Sequence, residues 1–124
     1  MKKVFEMSRE YRFTFTENIN LATALAFEKK VCGIIGEKDF SKLTILFSSD
    51  GGSTDLALSL NNFIKQLPQA IHMHAIGHVV SSAIPVFLAA NKRTAEPNSR
   101  FFFHTCGWNF GGGYQFLHTI NESV

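Results

Sequence analysis

Three short polar segments each follow an apolar run, and their residue types suit nucleophilic attack on a carbonyl group. They are residues 48–53 (Ser-Ser-Asp-Gly-Gly-Ser), residues 77–82 (Gly-His-Val-Val-Ser-Ser) and residues 104–105 (His-Thr). In an open parallel sheet, functional groups gather where strands end at their carboxyl side. The sequence therefore predicts one site built from three strand ends.

Within these segments, each residue type suggests a role in acyl transfer. Ser81 at a strand-to-helix junction is the candidate nucleophile, with the backbone N–H of Ser82 aimed at the developing oxyanion. Gly51 and Gly52 allow close backbone approach and supply another free N–H, and His104 is the candidate general base. Taken singly, each feature has a plainer interpretation as a helix N-cap, a turn or a solvated histidine.

Two other sets of residues suggest different chemistry. His72 and His74 are two positions apart on a predicted strand, so both side chains point to one face, and with His78 they could bind a metal. No carboxylate or thiol accompanies them at ligand spacing, so we predict polar strand-face residues and no metal. Cys106 follows the candidate base by two positions, which permits a Cys–His alternative. Ser81 is the better nucleophile candidate because a helix N-terminus follows it.

Strands and helices are predicted to alternate along the chain. Alternating or short apolar runs indicate strands, and apolar residues at helical spacing indicate helices. Strands are predicted over 11–16, 43–47, 71–77 and 101–103, the last one buried, with helices over 21–35, from Ser53 or Thr54 to Pro68, and over 81–90. This order predicts an α/β fold with a largely parallel sheet.

Composition narrows the class of protein. The 124 residues include thirteen phenylalanines and are 45% apolar, which suits a single domain over residues 1–124. A net charge of +2 gives no reason to expect nucleic-acid or membrane binding. Cys32 and Cys106 are expected to be buried thiols in a reducing cytoplasm. No signal peptide or membrane-spanning run is apparent.

The three motifs together resemble one known family. Residues 49–53 (Ser-Asp-Gly-Gly-Ser), 77–83 (Gly-His-Val-Val-Ser-Ser-Ala) and 97–104 (Pro-Asn-Ser-Arg-Phe-Phe-Phe-His) resemble the Clp protease proteolytic subunit family in order and spacing. The resemblance extends from about residue 11 to about residue 108. It implies a ClpP/crotonase-like spiral of repeated β-β-α and βαβ units with a largely parallel sheet.

The resemblance also implies residue roles. It makes Ser81 the nucleophile and His104 the base, with the N–H groups of Gly52 and Ser82 forming the oxyanion hole. It implies a groove for an extended substrate peptide, bordered by Gly51, Gly52 and Ser53.

As a function, the resemblance implies an ATP-dependent Clp-type serine endopeptidase subunit that needs no cofactor. Its substrate would be a peptide or an unfolded protein. Family members form homo-oligomeric rings and work with an AAA+ unfoldase in the cytoplasm. We expect a heptameric ring for this chain.

Some features depart from the family pattern and keep alternatives open. Asp50 stands where many members have proline, and Ser82 differs from the common residue after the nucleophile. Twenty residues follow His104, and they contain one carboxylate, Glu122. We therefore expect most of the family's handle helix and its triad aspartate to be missing.

A catalytically inactive or truncated ClpP-like subunit is one alternative function. A crotonase-type acyl-CoA enzyme is another, but it would not require the Ser81–His104 pair.

Overall fold

The fold alternates strands with helices, as the hydrophobic pattern predicts. The computed structural model describes residues 10–36 and 41–103. In chain order its elements are β1 (Glu10–Phe15), α1 (Leu21–Ile35), β2 (Lys42–Ser49), α2 (Thr54–Lys65), β3 (Ala70–Val80), α3 (Ala83–Leu88), β4 (Lys92–Ala95) and β5 (Arg100–Phe102). The predicted α/β class is confirmed.

The strands form one parallel sheet. Its order is β1-β2-β3-β4, and β5 also pairs with β3. β2 occupies one edge of β3, while β4 and then β5 pair along the other. Because β2 and β3 are parallel neighbours, their carboxyl ends lie side by side. The segments that follow these two strands are therefore brought together.

The structure departs most clearly from the predicted elements at β3, α3 and β4. β3 continues to Val80, beyond the predicted end at residue 77. The helix predicted over 81–90 is the shorter α3, because Ser81 adopts a positive φ that a right-handed helix does not allow. β4 was not predicted. Its sequence, Lys-Arg-Thr-Ala, lacks apolar alternation, and its pairing with β3 makes it a strand.

The core is rich in aromatic contacts between the sheet and its helices. The ring centroids of Phe15 and Phe27 are 5.7 Å apart, edge to face, and those of Phe15 and Phe47 are also 5.7 Å apart but stacked. Phe47 in turn lies 6.1 Å from Phe87 of α3. Each such pair contributes about 0.5–1.5 kcal/mol beyond its area burial. These contacts fix α1 and α3 against the sheet that carries the site.

Side-chain caps set where the two longer helices begin. The Asn20 side chain accepts the N–H of Thr23 at 2.9 Å, and the Thr23 hydroxyl accepts the Asn20 N–H at 3.0 Å, which forms a capping box. Ser53 and Thr54 are the two residues predicted to begin α2. Ser53 is its cap, since its hydroxyl accepts the Leu56 N–H at 3.2 Å.

None of the helices within residues 10–36 and 41–103 is long and apolar enough to cross a bilayer.

Two burial predictions are wrong. The strand predicted as buried over 101–103 is exposed: Phe101 is 38% exposed and Phe103 is 76% exposed. β5 is a short edge strand, and one face of Phe101 is covered by Phe87, with centroids 5.2 Å apart. Cys32 is also exposed, because it lies on the face of α1 turned away from the sheet while its neighbour Val31 is buried. Cys106 lies outside the described residues.

Candidate active site

Two turns meet at the carboxyl ends of β2 and β3. We call residues 49–53 and residues 80–82 together the turn pair. A Cβ added to Gly51 would lie 2.8 Å from the Val80 carbonyl oxygen and 3.2 Å from the Ser82 backbone nitrogen. Only glycine allows the two backbones to approach so closely. The structure thus brings the predicted Gly-Gly and Ser-Ser motifs into direct contact.

Ser81 has a strained backbone conformation. Its φ is +56°, in the left-handed region, and among the described residues other than glycine it is the one with a positive φ. Its N–H donates to the Phe102 carbonyl at 2.9 Å, and its own carbonyl accepts the Ile84 N–H at 3.0 Å. Both bonds hold the turn between β3 and α3 in place. Strain of this kind, maintained by its surroundings, clusters at functional sites.

The glycine turn is anchored on its other side by Ile19. The Ile19 N–H donates to the Gly51 carbonyl at 2.8 Å, and the Ile19 carbonyl accepts the Ser53 N–H at 2.9 Å. A Cβ added to Gly52 would lie 2.2 Å from the Ile19 carbonyl oxygen. Gly52 also has a φ of +149°. The N–H and C=O of Gly52 therefore face away from Ile19.

Both polar backbone groups of Gly52 are bonded to one side chain. The Gly52 N–H donates to the Ser82 hydroxyl at 2.9 Å, and this hydroxyl donates to the Gly52 carbonyl at 3.2 Å. Ser82 occupies the N-cap position of α3 but makes no capping bond with its side chain. Ser82 is 7% exposed whereas Gly52 is exposed, so the interaction is half-buried.

The remaining predicted site residues are Ser53, His104 and the alternative nucleophile Cys106. Ser53 is both the α2 cap and a partner of Ile19, so its N–H and hydroxyl are already engaged. His104 lies outside the described residues, as does the alternative nucleophile Cys106. The segment that leads to His104 is tied to the sheet, because the Ser99 hydroxyl donates to the Ala75 carbonyl at 2.9 Å.

A second polar cluster lies on one face of the sheet, and we call His72, His74, Thr94 and Glu96 the histidine face. The Thr94 hydroxyl is 2.6 Å from His72 Nε2 and 2.6 Å from His74 Nδ1, and His74 Nε2 is 2.7 Å from a Glu96 carboxylate oxygen. A carboxylate only accepts, so His74 Nε2 donates. With His74 neutral, Thr94 donates to His74 Nδ1 and accepts from His72 Nε2.

The polar side chains of the histidine face are hydrogen-bonded to one another. Burial lowers the pKa of His72, and the charge of Lys92 adds to the effect. His78, the third histidine of the metal alternative, instead contacts the Phe102 ring, with centroids 5.9 Å apart. Within residues 10–36 and 41–103, no three side chains of metal-ligand type come together as a metal site.

Sequence reasoning assigned no role to Ser49, which lies within a predicted motif, and missed Ile19 altogether. Ser49 is buried, and its hydroxyl accepts the Gly51 N–H at 3.1 Å. Ile19 anchors the glycines through its backbone alone, so its side chain gives no signal in the sequence. Its position between β1 and the Asn20 cap is the one feature of the sequence that points to this anchoring role.

The fold is shared with solved structures of Clp proteases. A mutant of ClpP1 from Listeria monocytogenes matches with a TM-score of 0.76 and 20% identity, over 98% of this chain and 70% of that one. ClpP1 from the same organism matches with a TM-score of 0.73 and 22% identity, over 90% of this chain and 66% of that one. The ClpP protease catalytic domain from Plasmodium falciparum matches with a TM-score of 0.71 and 24% identity, over 84% of this chain and 62% of that one.

Sequence comparison identifies the family directly. No curated protein matches the chain. The model of the Clp protease family, however, matches residues 2–118, which is nearly the whole chain. The chain has a ClpP-like protease fold. It belongs to the Clp protease family.

Proposed function

We propose that this chain is a serine-type endopeptidase subunit of an ATP-dependent Clp protease, with residues 1–124 as one ClpP-like domain. The observation that carries the proposal is the strained backbone of Ser81, with φ +56°, in a turn that touches the Gly51–Gly52 turn. A serine held this way presents its hydroxyl at a strand end beside backbone N–H donors.

In the proposed reaction, Ser81 Oγ attacks the scissile carbonyl while His104 takes the hydroxyl proton. The oxyanion forms between the N–H groups of Gly52 and Ser82. The C–N bond then breaks, and the amine leaves with the proton from His104. Water, deprotonated by His104, attacks the acyl ester next, which releases the acid and restores the Ser81 hydroxyl.

The pairing of Ser81 with His104 is supported by the neighbouring backbone. The Ser81 N–H bonds to the carbonyl of Phe102, two positions before His104. Two residues span at most about 7 Å, a length that is compatible with the proposed pairing. Without a third acidic group to orient the histidine, turnover would be lower by about 10⁴. The alternative of an inactive subunit corresponds to this case.

An active-site probe tests the proposal. We expect a fluorophosphonate to label the full chain, and Ser81→Ala and His104→Ala to abolish the labelling, with mass spectrometry placing the adduct on Ser81. Thermal unfolding of each variant checks that it is folded. Absence of labelling in folded, assembled protein would support the inactive subunit. Stabilisation of the chain by an acyl-CoA would favour the crotonase-type alternative.

The proposed partners follow from the same family membership. We propose a homo-oligomeric ring, cytoplasmic location, and an AAA+ unfoldase that delivers unfolded protein. Native mass spectrometry measures the ring. Degradation of an unfolded substrate with ATP and an unfoldase, compared with degradation without ATP, tests the partnership.

A further inference from the structure

We infer that the Ser82 side chain is a latch on the oxyanion hole, which it closes when no substrate is bound. The inference rests on the proposed function, because it concerns the Gly52 N–H that would stabilise the oxyanion. The hydroxyl of Ser82 then has a role separate from that of its backbone N–H. Because this hydroxyl acts through the Gly52 N–H, Ser82 is a positioning residue.

The geometry of Gly52 leaves one direction open for a ligand. Ile19 bonds to the Gly51 carbonyl and the Ser53 N–H, which are the groups on one edge of the turn. The N–H and C=O of Gly52 point to the other edge, and there both meet the Ser82 hydroxyl, at 2.9 Å and 3.2 Å. An oxyanion at Gly52 would need the position that this hydroxyl holds.

The latch can be released without disturbing α3. Ser82 is buried and Gly52 is exposed, so the bond lies at the edge of the buried region, where a ligand can reach Gly52. The hydroxyl makes no capping bond to α3. Rotation about χ1 of Ser82 would therefore free the Gly52 N–H without breaking a helix cap. The energy of that rotation is added to the barrier for acylation of Ser81.

The test compares acylation of Ser81 in the full chain with and without the hydroxyl. We expect Ser82→Ala to raise the second-order rate constant for fluorophosphonate labelling by about 3-fold to about 10-fold, the worth of one net hydrogen bond. Ser82→Thr keeps a hydroxyl that can bond to Gly52, so it should label more slowly than Ser82→Ala. Ser48→Ala is the matched control, because the Ser48 hydroxyl donates to the His78 carbonyl at 3.3 Å instead.

A second readout does not depend on catalysis. In ¹H–¹⁵N spectra, loss of the hydrogen bond in Ser82→Ala should move the Gly52 amide proton upfield and speed its exchange with solvent, while Ser48→Ala leaves it in place. An unchanged Gly52 amide overturns the latch whatever the kinetics. If wild type labels at Ser81 and Ser82→Ala labels at the same rate or more slowly, the latch is wrong and the peptidase proposal stands. If neither wild type nor Ser82→Ala is labelled at Ser81, both the latch and the peptidase proposal fail.

Discussion

The turn pair and the histidine face are both polar clusters on the same sheet, but they are built in opposite ways. In the turn pair each hydrogen bond described above has a backbone group as at least one partner, and Gly51, Gly52 and Ser81 all have positive φ angles. In the histidine face the backbone is regular parallel strand, with His72 paired to Lys92 and His74 to Thr94. There, side chains alone make the contacts.

This difference predicts how each region responds to substitution. A backbone-built site is damaged by adding a single Cβ, even when no functional side chain is removed. A side-chain network is damaged by removing a hydroxyl or a ring, while the strand beneath it persists.

Gly52→Ala should have the largest effect. Its Cβ would lie 2.2 Å from the Ile19 carbonyl oxygen, at a φ of +149°. We expect a loss of about 3 kcal/mol or more in the free energy of unfolding, measured in urea, and loss of Ser81 labelling. Gly33→Ala is the matched control, because nothing lies within 4 Å of its added Cβ. It lies within α1 and should stabilise by about 0.5–1 kcal/mol. Equal effects of Gly52→Ala and Gly33→Ala on the free energy of unfolding would contradict the view that the turn pair depends on close backbone approach.

Thr94→Val should have an intermediate effect on the histidine face. It keeps the shape of the side chain but removes the hydroxyl that bonds to both His72 and His74. We expect a loss of about 1–2 kcal/mol in the free energy of unfolding. Thr94→Ser retains the hydroxyl and should lose less. Labelling of Ser81 should be unchanged in both variants, and a Thr94→Val rate as low as that of Gly52→Ala would show that the two clusters are not independent.

Ser81→Gly should have a smaller effect of opposite sign. Glycine adopts a φ of +56° without the cost that a Cβ imposes, although its unfolded chain is more flexible. We expect a net gain of about 0.5 kcal/mol in the free energy of unfolding. Ser81→Ala also removes the hydroxyl but keeps the Cβ, so it should show no gain. If both variants unfold at the wild-type urea concentration, the Ser81 backbone is not strained.

Much of the fold could be predicted because its signals are local. The helix over 21–35 and the central strands follow from apolar spacing, and the Ser53 cap lies where the sequence predicts the start of the second helix. The fourth strand has no such signal. Lys92–Ala95 is extended because β3 offers it a free edge, and a partner strand is not visible in a four-residue window.

The site shows the same limit more sharply. Its glycines and serines could be picked out as a motif, and adjacent parallel strands explain why two segments thirty residues apart meet. The Ser82 hydroxyl on Gly52 could not be predicted, because serine before a helix normally caps it. Its bond depends on where the neighbouring turn lies, which is a property of the sheet rather than of either segment.

The smallest predicted effect is a pH dependence from the histidine face. Burial lowers the pKa of His72, and the charges of Lys92, His74 and Lys42 act in the same direction, while Glu10 opposes them. The folded chain therefore disfavours protonated His72. The unfolded chain takes up this proton near the ordinary pKa of about 6.5. Between the lowered pKa and about pH 6.5, the unfolded state binds more protons, so stability increases with pH there.

The free energy of unfolding, measured in urea from about pH 8 to about pH 5, should thus be constant above about pH 6.5 and fall below it. His72→Gln should remove this part of the decline. Lys92→Met removes the charge that contributes most to lowering the pKa of His72 and should give an intermediate slope. Glu10 does not interfere in this range: the hydrogen bond from the Thr44 hydroxyl lowers the pKa of Glu10, so its contribution is lost only at lower pH. Identical slopes in wild type, His72→Gln and Lys92→Met would mean that the folded and unfolded chains take up the His72 proton equally well, and would contradict this prediction.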